Sequence, residues 1–243
     1  MHTSRPPSRG LGLRIIAAAR HARRHRAWSP ALAGLLVLGA LGAFAYLAGD
    51  VIAGDRITLI DHQWARWLHA HATPALTRAM LALSAAHELW AIGIYTAMLA
   101  ACLLRRRQRD WLLCLLFAVP GGIAINTLIK HLVARPRPSF DDPIVTLATF
   151  SFPSGHVSAS TLLYGFLAAW LVQGTHQLAR QLAIVVPALL MVALIAASRM
   201  YLGAHFLSDV LAAFFEGIAW LGICLLGRCA LRRGAGARPG SAG

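Results

Sequence analysis

Apolar residues in this chain run in long unbroken blocks and do not alternate with polar ones, and the blocks end at charged or proline-containing turns. Residues 31–49 (ALAGLLVLGALGAFAYLAG) carry no charge over 19 positions. As a helix they extend roughly 28 Å, about the thickness of a bilayer's hydrocarbon core. Five further blocks follow at about Ala79–Leu104, Trp111–Val133, Val157–Val172, Leu182–Ala197 and Phe206–Cys229. Pro120-Gly121-Gly122 is expected to kink or loosen the third span, and the fifth carries Pro187. Residues 57–71 differ: Ile57, Ile60, Trp64, Trp67 and Leu68 share one helical face, with Asp61, His62 and Arg66 on the other. That pattern predicts a helix lying in the membrane interface, its polar face toward solvent or headgroups. The expected fold is all-α: a polytopic membrane bundle of six transmembrane helices and a short interfacial helix.

The bundle is read as residues 30–229, between a basic arm at 1–29 and a basic, flexible tail at 230–243. Ala43-Phe44-Ala45 has the look of a signal-peptide cleavage site behind a basic segment. The apolar run is longer than a usual h-region, so it is read as a retained span. With 58% hydrophobic and 13% charged residues the chain is too apolar for a soluble domain. The net charge of +14 does not indicate nucleic acid, because the basic residues sit between apolar spans and form no aromatic-interleaved patch. They indicate orientation instead. With both termini inside, sixteen of the 23 basic residues face the cytoplasm: seven in the arm, four at Arg105–Arg109, Arg180, and four from Arg228 onward. The expected location is a bacterial inner membrane. The ends of spans three and five and the starts of spans four and six then share the outer, periplasmic face. Cys102, Cys114, Cys224 and Cys229 lack metal-type spacing and are read as reduced thiols near the cytoplasmic side. His62, His69 and His71 lack a ligand spacing and are read as headgroup-facing.

Three stretches concentrate ionisable residues at that outer face: Lys130–Pro138 (KHLVARPRP), Pro153–His156 (PSGH) and Ser198–Asp209 (SRMYLGAHFLSD). Ionisable groups at membrane depth are costly, so they pair, line a polar cavity or perform chemistry. Lys130-x6-Arg137-Pro138, Pro153-Ser154-Gly155-His156 and Ser198-Arg199-x5-His205-x3-Asp209 together resemble the three-part signature of the type 2 phosphatidic acid phosphatase (PAP2) superfamily. Tyr201 and Gly203 fit the same pattern. The resemblance implies a metal-independent phosphatase working through a phosphohistidine, without a cofactor, on a lipid phosphate in the bilayer.

The residue chemistry agrees with what the resemblance implies. Phosphoryl transfer needs fixed positive charge around the phosphate oxygens, an in-line nucleophile and a proton for the leaving group. Lys130, Arg137 and Arg199 are the candidate cations, with Ser154 and the Gly155 amide as neutral donors at a helix start. His205 is the candidate nucleophile. Asp209, four residues on, would hold the ring by one nitrogen and leave the other free to attack, provided the helix already includes both. His156 is the candidate acid for the leaving oxygen and base for water. No carboxylate cluster suited to a metal appears on the outer face beyond Asp141-Asp142, which are read as solubilising. Arg135 is read either as a contact to a second phosphate or headgroup, or as a topological, solvent-exposed residue. His87 and Glu88, inside span two, either line the cavity with an active-site role or serve a structural hydrogen-bonding role.

Four functions are compatible with these features. The leading one is hydrolysis of a lipid phosphate or pyrophosphate, with undecaprenyl pyrophosphate, phosphatidylglycerophosphate and phosphatidic acid as candidate substrates. Lipid-to-lipid phosphotransfer would use the same histidine. Haloperoxidase chemistry shares the signature but belongs to soluble proteins. A non-catalytic lipid-binding or transport protein is the fourth, and the intact ionisable set speaks against it.

Overall fold

A computed structural model describes residues 30–236, and among them every regular element is a helix. The helices are α1 (Pro30–Ala53), α2 (Arg56–Ala70), α3 (Pro74–Ala85), α4 (Leu89–Arg105), α5 (Arg109–Val133), α6 (Gly155–Val172), α7 (Leu178–Tyr201) and α8 (Leu207–Gly236). The arm expected at 1–29 and residues 237–243 of the tail lie outside the described residues. Five helices are long and apolar enough to cross a membrane, and α3 with α4, bent by 49° at a short break, makes a sixth span if counted as one.

The bundle has the apolar exterior of a membrane protein. Along α1 only Val37, Ala40, Leu47 and Val51 are buried, on the side packed against α8, while Leu35, Leu38, Tyr46 and Ile52 stand exposed. Helices α5, α6 and α8 form the interior with α4 and α7 packed around them. A main cluster holds Leu115, Ala118, Leu162, Phe166 and Leu221, and a second, nearer the polar end, holds Val157, Ile195, Val210 and Ala213.

Helix α5 runs on through Pro120, and Trp220 Nε1 donates to the Phe117 and Ala118 carbonyls just ahead of it, at 3.2 and 3.1 Å. A neighbouring helix thus satisfies backbone groups that a proline loosens. Gly122 permits the close approach of α6, since a Cβ there would meet Leu162 at 2.3 Å. Helix α5 ends at Ala134, left-handed with φ 48°, two residues before Pro136 prevents further winding.

Two boundaries depart from the sequence expectation. Span two is not one continuous helix: it breaks at Ala86–Glu88, so His87 and Glu88 sit at a bend. Ser84, His87 and Glu88 use this bend to reach partners on α6 and α7. Helix α8 continues to Gly236, so the first seven residues of the expected flexible tail are helical. Nothing before Gly234 breaks the helix, and Arg228 Nε and Arg232 Nη1 hold it to Asp110 of α5 at 2.9 and 3.6 Å.

The interfacial helix forms where expected, but its faces are assigned differently. Trp64 and Trp67 are exposed, while Asp61 is fully buried with Ala65 against the bundle. Asp61 belongs to the packed face because its carboxylate finds an arginine and a helix N-terminus there. The three α2 histidines go separate ways: His62 meets the edge of Phe206, His69 pairs with Asp142, and His71 bonds the Trp67 carbonyl.

Candidate active site

Three polypeptide segments meet at one end of the bundle: the 134–154 loop, the start of α6, and the turn from α7 into α8. The loop is braced from several sides. Phe152 is fully buried among Leu47, Val51 and Ala212, and the Ser151 N–H donates to the Arg135 carbonyl at 2.8 Å. Phe140 stacks on His69 at 4.1 Å between ring centroids and lies against Gly203, whose φ of 67° and missing Cβ both suit the contact. Asp142 is exposed and takes a 2.9 Å bond from His69, which holds its carboxyl below the usual range.

Lys130 Nζ donates to the carbonyls of Phe150 at 3.0 Å and Pro153 at 2.7 Å. The expected phosphate cation thus fastens the loop that delivers Ser154, and it does so from the last turn of α5. Arg137 is held by Nε to the Thr149 carbonyl at 2.6 Å, by Nη2 to Thr149 Oγ1 at 2.9 Å, and by Nη1 to the Ala204 carbonyl at 2.6 Å. Its Nη1 also lies 3.3 Å from His205 Nε2. Burial lowers the Arg137 pKa, and the Asp209 charge opposes that shift.

His205 is buried in the turn ahead of α8. Its backbone N–H and that of Ala204 donate to the Arg199 carbonyl at 3.2 and 3.0 Å, which closes the end of α7 and sets the ring's direction. Nδ1 faces Asp209 Oδ2 at 3.6 Å, slightly beyond hydrogen-bond length. A guanidinium has no acceptor, so the Arg137 contact is a hydrogen bond when Nε2 is unprotonated and the ring proton is on Nδ1, toward Asp209. Burial pushes the His205 pKa down to about 4 against the pull of Asp209, with Arg137 and Arg199 adding to the depression. The ring is neutral at ordinary pH. The sequence reading makes the His205–Asp209 pairing conditional on one helix including both, and α8 begins only at Leu207. Asp209 Oδ2 caps that helix, taking the Phe206 N–H at 2.8 Å, and the turn still brings histidine and carboxylate together.

Ser154 and Gly155 begin α6, and the Ser154 hydroxyl is buried with no hydrogen-bond partner in the protein. Arg199 is buried, with Nη1 on Ser84 Oγ and Nε unpartnered. His156 Nε2 is also buried and unpaired in hydrogen-bond geometry, 3.3 Å from Glu88 Oε1. Buried polar atoms are rarely left unmatched. Ser154 Oγ, Arg199 Nε and His156 Nε2 are three of these, on the segments that surround His205, and they form a donor set suited to an anion. His156, His205, Arg199 and Arg137 are near enough to feel one another's charge.

Arg135 fits neither of its expected roles, because it is buried with both terminal nitrogens engaged. Nη1 donates to Asp209 Oδ1 at 2.6 Å and Ser208 Oγ at 2.8 Å, and Nη2 donates to Asp61 Oδ2 at 2.8 Å. His87 bonds the Leu83 carbonyl and Tyr164 hydroxyl, both at 2.8 Å, a structural arrangement, whereas Glu88 faces His156. Ser84, Asp61 and Ser208 are site neighbours that sequence reasoning missed. Asn126 and Glu216, joined at 2.7 Å in the interior below, were missed too. Among the described residues no three His, Cys, Asp or Glu side chains are grouped to hold a metal ion.

The model of the PAP2 superfamily matches residues 111–232. Phosphatidylglycerophosphatase B of Bacillus subtilis (strain 168) is 36% identical over 114 residues, 46% of this chain and 55% of that protein. Decaprenylphosphoryl-5-phosphoribose phosphatase of Mycobacterium tuberculosis (strain CDC 1551 / Oshkosh) is 39% identical over 119 residues, 47% of this chain and 59% of that protein. The chain thus spans a little over half the length of these curated relatives. The crystal structure of a transmembrane PAP2-type phosphatidylglycerolphosphate phosphatase from Bacillus subtilis superposes with a TM-score of 0.70 at 26% identity, covering 81% of this chain and 96% of that one. Aquifex aeolicus LpxE gives 0.56 at 20% identity, covering 68% and 94%, a likeness of fold alone.

Proposed function

Since the chain belongs to the PAP2 superfamily, we propose that it is a membrane phosphatase hydrolysing the phosphate or pyrophosphate ester of a lipid through a phosphohistidine on His205. The observation that carries this is the two-sided environment of the His205 ring, with Nδ1 toward Asp209 and Nε2 toward Arg137. A neutral ring with its proton directed at a carboxylate has its other nitrogen free to attack phosphorus. Arg137 would then meet the phosphate oxygens next to the attacked atom, with Arg199 Nε, Ser154 Oγ and the Gly155 amide completing the cradle.

In the first step the His205 Nε2 lone pair bonds phosphorus as the bond to the lipid oxygen breaks, and His156 gives that oxygen a proton. The phosphorylated ring is cationic and is balanced by Asp209. In the second step His156 takes a proton from water, whose oxygen attacks phosphorus. The P–N bond breaks, inorganic phosphate leaves and His205 is regenerated. Glu88, 3.3 Å from His156 Nε2, is placed to orient that ring.

The lipid nature of the substrate rests on an apolar bundle with its site at one end, and on the relatives, a phosphatidylglycerophosphatase and a decaprenylphosphoryl-phosphoribose phosphatase. The sixteen-to-seven split of basic residues along the sequence, read by the positive-inside rule, supports a periplasmic site with cytoplasmic termini. A panel of lipid monophosphates and diphosphates, incubated with purified protein in detergent and read as inorganic phosphate, tests the proposal. Absence of release from every member would overturn it.

A further inference from the structure

Asp61 is fully buried yet lies on the interfacial helix α2, remote in sequence from every motif. It accepts from the Ser208 N–H at 2.9 Å, from the Ser208 hydroxyl, and from Arg135 Nη2 at 2.8 Å. Arg135 is thereby fixed against the first turn of α8, with its guanidinium 4.3 Å over the Phe206 ring. Its other terminal nitrogen holds Asp209 Oδ1 at 2.6 Å, leaving Oδ2 to the Phe206 N–H at 2.8 Å and to His205 Nδ1. Two buried carboxylates therefore share one guanidinium, and the one nearer the nucleophile is held at both oxygens.

We infer that Asp61 and Arg135 are positioning residues for the nucleophile: Asp61 sets Arg135, and Arg135 sets both the direction and the effective charge of the Asp209 carboxylate that faces His205. A carboxylate answering to Arg135 as well as His205 does not draw a proton onto the ring before attack, yet it stands ready to balance the cationic phosphohistidine. The cost of breaking such a buried set comes mainly from the charge left behind. The inference rests on His205 being the nucleophile. It also makes the seating of α2 on the bundle a condition for activity.

The test reads His205 directly. The full chain, labelled with ¹⁵N in its histidine rings and held in detergent, is titrated by NMR, and His205 is assigned from the His205→Gln spectrum. The charges that act on this ring are Asp209, Arg137, Arg199 and His156, with Arg135, Asp61 and Lys130 acting through Asp209. Arg135→Gln leaves Asp209 to His205 alone, so the ring should titrate higher by about one unit or more. Asp61→Asn leaves Arg135 to Asp209 alone, so the ring should titrate lower. In each variant kcat on a lipid phosphate should fall about 10-fold or more with KM nearly unchanged, as for an interaction felt mainly in the transition state.

If Arg135→Gln does not fold, the Asp61→Asn/Arg135→Gln pair removes one buried charge of each sign. It should still titrate higher, because Arg135 is the nearer to Asp209. His205 titrations that superimpose on wild type in Asp61→Asn and in the pair would overturn the inference, whatever happens to kcat. A wild-type protein that releases no phosphate would overturn the proposed function, while the titration would still decide the roles of Asp61 and Arg135.

Discussion

The Ser154 backbone N–H donates to the Asp209 carbonyl at 3.1 Å, tying the loop before α6 to the first turn of α8. This bond needs only the Ser154 main chain. Its hydroxyl is buried and makes no hydrogen bond within the protein, and in the proposed mechanism it donates to the phosphate. Ser154→Ala should leave thermal stability in detergent unchanged and lower kcat/KM by about 10²-fold, the scale of losing one oxyanion donor. A fall in melting temperature with intact turnover would assign the hydroxyl to structure.

The spans were legible because a bilayer demands about 20 apolar residues in a row, and the three motifs because charge at span ends is rare. Asp61 was not legible. Its neighbours His62 and Arg66 make it look like one more residue of a polar helix face, and its partners Arg135 and Ser208 lie 74 and 147 residues away. Arg135 and Arg137 are chemically identical in sequence, yet one turns inward to carboxylates and the other toward His205. Flanking prolines favour a polyproline II backbone with three residues per turn, in which residues two apart point in different directions. The break at His87-Glu88 carries neither glycine nor proline. Only the placement of an ionisable pair within a span hinted at it.

Burial keeps the His205 ring neutral by pushing its pKa down to about 4. In the proposed mechanism the neutral form attacks, so the nucleophile should be available above that pH and lost as pH falls through it. The acidic limb of kcat/KM that belongs to the enzyme should lie near pH 4, where an ordinary histidine would give about 6.5. Two substrates with different phosphate pKa values separate enzyme limb from substrate limb. A limb near 6.5 common to both would contradict the neutral buried ring.

The positive-inside count of the sequence puts the Arg105–Arg109 turn on the cytoplasmic side and the site loop on the other. A reporter fused after Arg107 should behave as cytoplasmic, and one inserted near Asp142 as periplasmic. The opposite pattern would put the site in the cytosol.

Phosphate charge in the proposed mechanism is met by Arg137, Arg199, the Ser154 hydroxyl and the Gly155 amide. Activity should therefore survive EDTA and be inhibited by vanadate, whose five-coordinate adduct resembles the transition state. Loss of activity in chelator, restored by Mg²⁺, would contradict this.

The division of labour between His205 and His156 is best read from phosphoenzyme trapped with a ³²P-labelled substrate that has an easily expelled leaving group. His156→Ala should still form an acid-labile phosphohistidine, because such a leaving group barely needs protonation. It should hydrolyse slowly, with turnover reduced by roughly 10²–10⁴-fold for want of the base. His205→Ala should form none and release no phosphate. Label on His205→Ala, and none on His156→Ala, would mean that the two histidines have the reverse roles.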